Sequence, residues 1–263
     1  TGISGGWAAK ELSEKGLKTL VLDSGRMVEH LKDYPTMNLN PWELPYADEL
    51  TPKEKKDIYY VQSKTSYAVK QSTKHFFVKD NVHEYIQKKP FLWTRGYQVG
   101  GRSLMWGRWA YRRGDLEFES NATDGVGLDW PIRYKDIKKW YDHVENFIGV
   151  SGNKDNLPQI PDGNFLPPWS MNCIEKHIKS KIANHYSDRV LTIGRTTNLT
   201  KAHGGRGNCM SRNLCVRGCP YGAYFSSNSV TLPAAQKTSN MTLRPNSIVH
   251  TILFDKNTKK ATG

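Results

Sequence analysis

The stretch Thr1-Gly2-Ile3-Ser4-Gly5-Gly6-Trp7-Ala8-Ala9-Lys10-Glu11-Leu12-Ser13-Glu14-Lys15-Gly16-Leu17-Lys18-Thr19-Leu20-Val21-Leu22-Asp23 decides the fold. Ala8, Ala9 and Leu12 recur at helical spacing, which predicts a helix over residues 3–15. Gly16 ends it, because glycine is the residue best suited to the left-handed backbone that follows a last helical turn. Leu17, Leu20, Val21 and Leu22 then form a dense apolar run without alternation, which predicts a buried parallel strand. Asp23 and Ser24-Gly25 close that strand with an acid and a turn.

A strand–turn–helix unit that binds a dinucleotide needs Gly-x-Gly-x-x-Gly, since a tight turn and close backbone approach bring the pyrophosphate onto the helix N-terminus. Gly2 and Gly5 fall on the second and third glycine positions and Gly6 adds further freedom; the first glycine would stand just before Thr1. The same unit needs an acid about 20 residues on to take the ribose hydroxyls. Asp23 lies twenty-one residues past Gly2. Glycines alone read as a surface loop; glycines, helix, strand and acid in register read as a nucleotide site. The half-motif at Thr1 also predicts that the first strand is missing and that the 263 residues are a piece of a longer protein.

Outward from this unit, residues 33–95 hold five of the prolines with no sustained period and read as long loops over a core. Gly100-Gly101-Arg102-Ser103-Leu104-Met105-Trp106-Gly107 is a glycine-rich hinge. After Asp129-Trp130-Pro131-Ile132, the spacing of Ile137, Trp140, Tyr141, Val144 and Ile148 predicts a helix over 134–148 that Gly149 stops, and Ile174, Ile178 and Ile182 predict another over 172–186. Residues 200–222 are a loop with Gly and Cys, and residues 241–244 and 248–255 alternate as strands, followed by a turn at Asp255-Lys256-Asn257.

Composition removes several classes. Aromatic residues make up 11% of the chain, against the scarcity that marks disorder. No stretch approaches the roughly 20 apolar residues of a membrane span. The net charge of +13 is local: residues 51–120 carry +7 and residues 171–263 carry +11, whereas 1–50 and 121–170 are acidic. Such segments make an anion-facing cleft or a nucleic-acid surface. The basic residues are dispersed and no zinc finger, helix-turn-helix or RNA-recognition motif is visible, so nucleic acid is the weaker alternative.

The first stretch, the segment Val99–Gly107, Asp129-Trp130-Pro131-Ile132, Gly218-Cys219-Pro220-Tyr221-Gly222-Ala223 and Thr231-Leu232-Pro233-Ala234-Ala235 together resemble the glucose-methanol-choline flavoprotein oxidoreductases, especially the pyranose oxidase-like and flavin sugar dehydrogenase branches. The resemblance implies an α/β fold: a Rossmann-like FAD-binding domain with long insertions, plus part of a substrate domain with mixed or antiparallel sheet. It divides the chain into a partial FAD-binding unit (1–32), a loop-rich extension with a flavin-contact segment (33–130), a helical and loop part of the substrate side (131–200), and a Cys-containing loop returning to the FAD-binding domain (201–263). It implies that Gly2, Gly5 and Gly6 meet the FAD pyrophosphate and Asp23 the adenine ribose. Gly100, Gly101, Ser103 and Trp106 would lie along the flavin and its phosphates, and the Val249 backbone beside the adenine.

The implied reaction is hydride transfer from a CH–OH group of a sugar or related polyol to the flavin N5. The electron acceptor, whether oxygen, quinone or a cytochrome subunit, is left open. Members with covalent flavin carry a histidine where this chain has Met105, so the FAD is expected to be non-covalent. The family's catalytic histidine belongs to a region past Gly263; no catalytic residue is assigned, and the piece alone is expected to be inactive. His177, His185, His203 and His250 read as surface or structural residues.

Cys209, Cys215 and Cys219 fall within eleven residues, with Pro220 following. Thiolates so close could converge on an iron–sulfur cluster, as in the cluster-bearing subunits of some sugar dehydrogenases. Unpaired thiols, or a disulfide from Cys209 to Cys215 or Cys219, are the competing readings, and Cys173 reads as core. An electron-transferring or inactive flavoprotein is the other alternative that keeps the fold.

Overall fold

A computed structural model describes residues 1–65 and 69–263. The chain divides into two compact units, one made of Thr1–Trp106, Leu214–Pro220 and Ser226–Gly263, the other of Gly107–Asn213 and Tyr221–Phe225.

In the first unit, helix α1 (Ile3–Glu14) ends at Gly16, whose φ is +82°. Strand β1 (Thr19–Leu22) follows and pairs in parallel with β2 (Met241–Arg244), Thr19 opposite Met241 and Leu22 opposite Arg244. The helix Thr231–Lys237 precedes β2, and α1 packs against it. The buried face of α1 is Gly6, Ala9, Lys10 and Ser13; Ala8 and Leu12, which the apolar spacing placed inward, are exposed. The reason is the closeness of the two helices. A Cβ on Gly6 would stand 2.6 Å from Thr231 Oγ1 and 2.7 Å from Ser227 Oγ, so small residues and not large ones face the partner. Ala9, Val99, Leu232 and Ala235 form the core here, with Val21 and Leu243 packed onto it from the strands.

The period of two along a strand sends Val21 and Leu243 to this core and leaves Leu20 and Leu22 on the opposite face, 55% and 40% exposed. The expectation of a strand buried on both faces is therefore corrected to burial on one, because among the described residues the sheet has two strands and a helical layer on one side.

A second core gathers Tyr34, Leu50, Tyr59 and Phe76 from the proline-rich loops, together with Val28 and Met105. Phe76, wholly buried, contributes about 2 kcal/mol or more by apolar burial alone. Loops cannot satisfy their own backbone, and buried acids do it for them. Asp80 accepts from the N–H groups of Val61 (2.9 Å) and Gln62 (3.2 Å) and from Gln62 Nε2 (2.8 Å). Asp48 takes the Ser72 N–H (2.7 Å) and hydroxyl (2.9 Å) and pairs with Arg217 at 3.2 Å.

The C-terminal stretch departs from its alternation. Residues 248–253 form no strand, and Ile248, Val249, Ile252 and Leu253 are all exposed. Only β3 (Phe254–Asp255) and β4 (Lys260–Ala261) pair, antiparallel, around the expected turn, where Asp255 accepts the Asn257 N–H at 2.8 Å. Alternation marks a strand with one buried face, and here no described residue buries that face.

In the second unit the helix Tyr134–Ile148 matches its predicted span and stops at Gly149 (φ +75°). Its inward face centres on Glu145 and Ile148, while Trp140 is 54% exposed. Arg112, 2% exposed, sets that face. Its guanidinium donates to both oxygens of Glu145 (2.8 and 2.5 Å), to Asp142 (2.5 Å) and to the Tyr134 hydroxyl (2.8 Å). Gly163 lies so close that a Cβ would fall 2.1 Å from Glu145 Oε2. The helix Cys173–His185 opens on an Asn172–Glu175 capping box and buries none of its residues; Cys173, expected in the core, is exposed at its first position. No helix among the described residues is long and apolar enough to cross a membrane.

Candidate functional site

The first turn of α1 is left open. Its N-cap, Gly2, makes no side-chain cap and no acidic residue stands in the first turn, so the N–H groups and the positive end of the helix dipole have no partner within the helix. A Cβ built on Gly2 or Gly5 would meet nothing within 4 Å. These features accept an anion brought close to the backbone.

Asp23, at the end of β1, stands beside this turn. Its Oδ1 accepts the Gly25 N–H at 2.9 Å, and its Oδ2 takes the Thr1 hydroxyl. Burial by itself would raise the carboxyl; the hydrogen bonds from Thr1 and Gly25 outweigh it and hold the group below the usual carboxylate range. The Ser247 N–H donates to the Asp23 carbonyl (2.8 Å) and the Asn246 N–H to that of Gly25 (2.8 Å), so the chain after β2 runs past the acid. Val249 lies two residues further on and is 57% exposed.

The Gly100–Ser103 turn closes on the same place. Gly100, with φ +90°, donates its N–H to Thr1 Oγ1 at 2.9 Å, and a Cβ on Gly101 would stand 3.3 Å from the Gly2 Cα. Ser103 Oγ donates to the Gly100 carbonyl (2.6 Å) and accepts the Ser227 N–H (2.9 Å). Ser227 Oγ in turn donates to the Gly2 carbonyl at 3.1 Å. Asn228 Nδ2 ties the Val28 carbonyl (2.8 Å) to that of Val99 (3.0 Å). Residues 1–6, 23–28, 99–103 and 227–228 are thereby drawn into one hydrogen-bonded clasp. It brings together the sequence-derived Gly2, Gly6, Asp23, Gly100, Gly101 and Ser103, with Gly5 on the open turn. Trp106 is half-buried at the end of the segment, and Val249 is outside the clasp.

Ser227 and Asn228 make four of these six bonds and escaped the sequence reading. The signal was there: Ser226-Ser227-Asn228-Ser229 is a run of small polar residues directly before a helix, suited to bonding backbone that has no ladder partner. Met105 is 5% exposed and belongs to the second core, packed with Val28, Tyr34 and Phe76.

The three clustered cysteines are divided between the two units. Cys209 belongs to the second unit, where its N–H bonds the Leu199 carbonyl at 2.8 Å; Cys215 and Cys219 belong to the first. Among the described residues no group of three or more His, Cys, Asp or Glu is placed to hold a metal ion, and no disulfide joins Cys209 to Cys215 or Cys219. His203 Nε2 lies 2.9 Å from the Asn146 carbonyl and His185 Nδ1 2.8 Å from the Lys181 carbonyl, both structural contacts.

No family model matches the chain. It is similar to the fructose dehydrogenase large subunit of Gluconobacter japonicus, 23% identical over 97% of this chain and 45% of the relative. It is similar to the gluconate 2-dehydrogenase flavoprotein of Pantoea cypripedii at 25% identity, over 98% of this chain and 45% of that protein. Paromamine 6'-oxidase of Streptomyces fradiae is 29% identical over 58% of this chain and 27% of its own length. The chain spans less than half the length of the curated relatives it matches. All three are oxidoreductases by name, one of them a named flavoprotein, and their names carry a sugar, a sugar acid and an aminoglycoside.

Proposed function

We propose that the chain is part of an FAD-dependent oxidoreductase of the glucose-methanol-choline type that acts on the CH–OH group of a sugar or related polyol. The observation that carries this reading is the clasp around Gly2 and Asp23: an uncapped helix N-terminus and a depressed carboxylate held side by side through the Thr1 hydroxyl. A pyrophosphate and a ribose have that combination of charge and hydroxyls. Similarity over nearly the whole chain to a fructose dehydrogenase subunit and a gluconate dehydrogenase flavoprotein supports the substrate class.

In this reading the fold is Rossmann-like. The Gly2–Gly6 turn holds the pyrophosphate by backbone N–H groups, Asp23 accepts ribose hydroxyls, and the Gly100–Ser103 turn and Trp106 line the flavin side. Bound FAD supplies an acceptor for the hydride of the substrate carbinol at its N5. The burial of Met105 supports a non-covalent cofactor, because its thioether is packed into the core. No residue is assigned as the catalytic base. The test is flavin content and turnover: the complete protein is expected to bind one FAD and to oxidise a sugar with an artificial electron acceptor, and protein that takes up no flavin would refute the reading.

A further inference from the structure

We propose that the second unit carries a binding site for a sugar acid, a polyhydroxylated ring bearing a carboxylate, in a hollow beside the C-terminal turn of the helix Tyr134–Ile148. The hollow measures about 230 Å³, which suits a ligand of a single ring, and every residue that lines it belongs to this unit. Its walls are fixed before any ligand arrives. Leu166 donates its N–H to the Val150 carbonyl at 2.7 Å, and the Phe165 ring lies 4.7 Å from the Arg195 guanidinium, itself held by Asp162 at 2.7 Å. His203 Nε2, 2.9 Å from the Asn146 carbonyl, ties the segment around residue 203 to the helix. Glu145 also lines the hollow, but its charge is already matched. Arg112 donates to both of its oxygens, and the Asn164 N–H donates to Oε2 at 2.9 Å. Asp142, the other carboxylate on Arg112, is not part of the wall.

What remains is a set of polar side chains that the fold itself does not use. Among the described residues Lys154 makes no ion pair, and the side-chain amides of Asn146 and Asn164 make no hydrogen bond. They come from three separate stretches of chain and stand beside the apolar surface of Phe165 and Leu166. Each feature selects one part of a ligand. An unpaired lysine takes a carboxylate through a charge-assisted hydrogen bond. An amide offers a donor and an acceptor to hydroxyl groups, and the apolar wall covers the C–H face of a ring. A plain anion would leave the amides and the apolar wall unused, and a neutral sugar would leave the lysine unused. The site goes beyond the flavin reading and does not depend on it.

The experiment is a ligand-observed NMR titration of the complete protein, with and without flavin, using D-glucuronate, D-glucose and acetate as probes. Wild type is expected to bind glucuronate with a dissociation constant of about 1 mM, as a small ligand with a few polar contacts allows, and the other two about tenfold more weakly. Lys154→Gln should weaken glucuronate about tenfold and leave glucose unchanged, Lys154→Arg should retain binding, and Asn164→Ala should weaken both sugars. Lys154 and Asn164 are exposed, so these variants should keep the wild-type circular dichroism. Should a variant fail to fold, the three probes on the wild type decide the matter. Equal glucuronate affinity in wild type and Lys154→Gln, acetate bound as tightly as glucuronate, or no saturable binding overturns the site. None of these results touches the cofactor reading, which stands or falls on FAD uptake.

Discussion

At Gly100 two constraints meet, a left-handed φ of +90° and a side-chain amide filling the place of a Cβ. Gly100→Ala is expected to cost several kcal/mol and to abolish flavin binding, because neither the backbone nor the buried Asn228 can give way; thermal unfolding that matches wild type would contradict this. His75 makes a separate prediction. Burial first, and then the charges of Arg26 and Lys74, lower its pKa from 6.5 to about 4, and its Nε2 is buried without a partner. The unfolded chain therefore binds a proton that the folded chain refuses. Stability is fully present above about pH 6.5 and falls as pH drops toward 4, by up to about 3 kcal/mol. Denaturant titrations at pH 7 and pH 5 should show the loss, and His75→Gln should flatten it; the lowered carboxyls of Glu54 and Asp23 lose their own stabilisation mainly as pH falls below about 4.5 and 3.8.

At the scale of elements, α1 and the helix Thr231–Lys237 approach closely enough that Gly6→Val is expected to destabilise by more than 2 kcal/mol, through collision with Thr231 and Ser227. The helix Tyr134–Ile148 is held by a buried ion cluster, and Arg112→Leu leaves Glu145 with an uncompensated charge, an expected cost of about 3–5 kcal/mol read from its unfolding midpoint. These elements also divide what the sequence shows from what it hides. Helix spans over 3–14, 134–148 and 173–185 were legible because apolar spacing and a terminal glycine or cap are local signals. Which face of α1 turns inward was not, since close packing of small residues reverses the apolar rule. Arg112 looked like one more basic residue in a basic segment. Its burial depends on Glu145, more than thirty residues away, and no local pattern carries that pairing. The exposed run 248–253 failed for the opposite reason, alternation without a surface to bury it.

For the whole molecule, the nearness of the glycine turn to Asp23 was legible because motif and spacing lie within one stretch. Ser227 and Asn228 were not, because they reach the site only through tertiary folding. The proposed reading is oxidation of a sugar-type alcohol by a bound flavin, and under it a diphosphate would give part of the +11 over residues 171–263 a purpose that needs no nucleic acid. A non-covalent cofactor makes a simple prediction: acid precipitation should release the flavin to the supernatant, whereas flavin retained in the pellet would mean a covalent link at a residue other than Met105. The central claim is that Gly2 and Asp23 form an FAD site, and the most direct measurement is the dissociation constant of FAD for wild type and Asp23→Ala. One FAD per chain, with affinity reduced about 10- to 100-fold by the substitution, is the predicted result; equal affinity in both proteins, or no FAD bound by either, would contradict it.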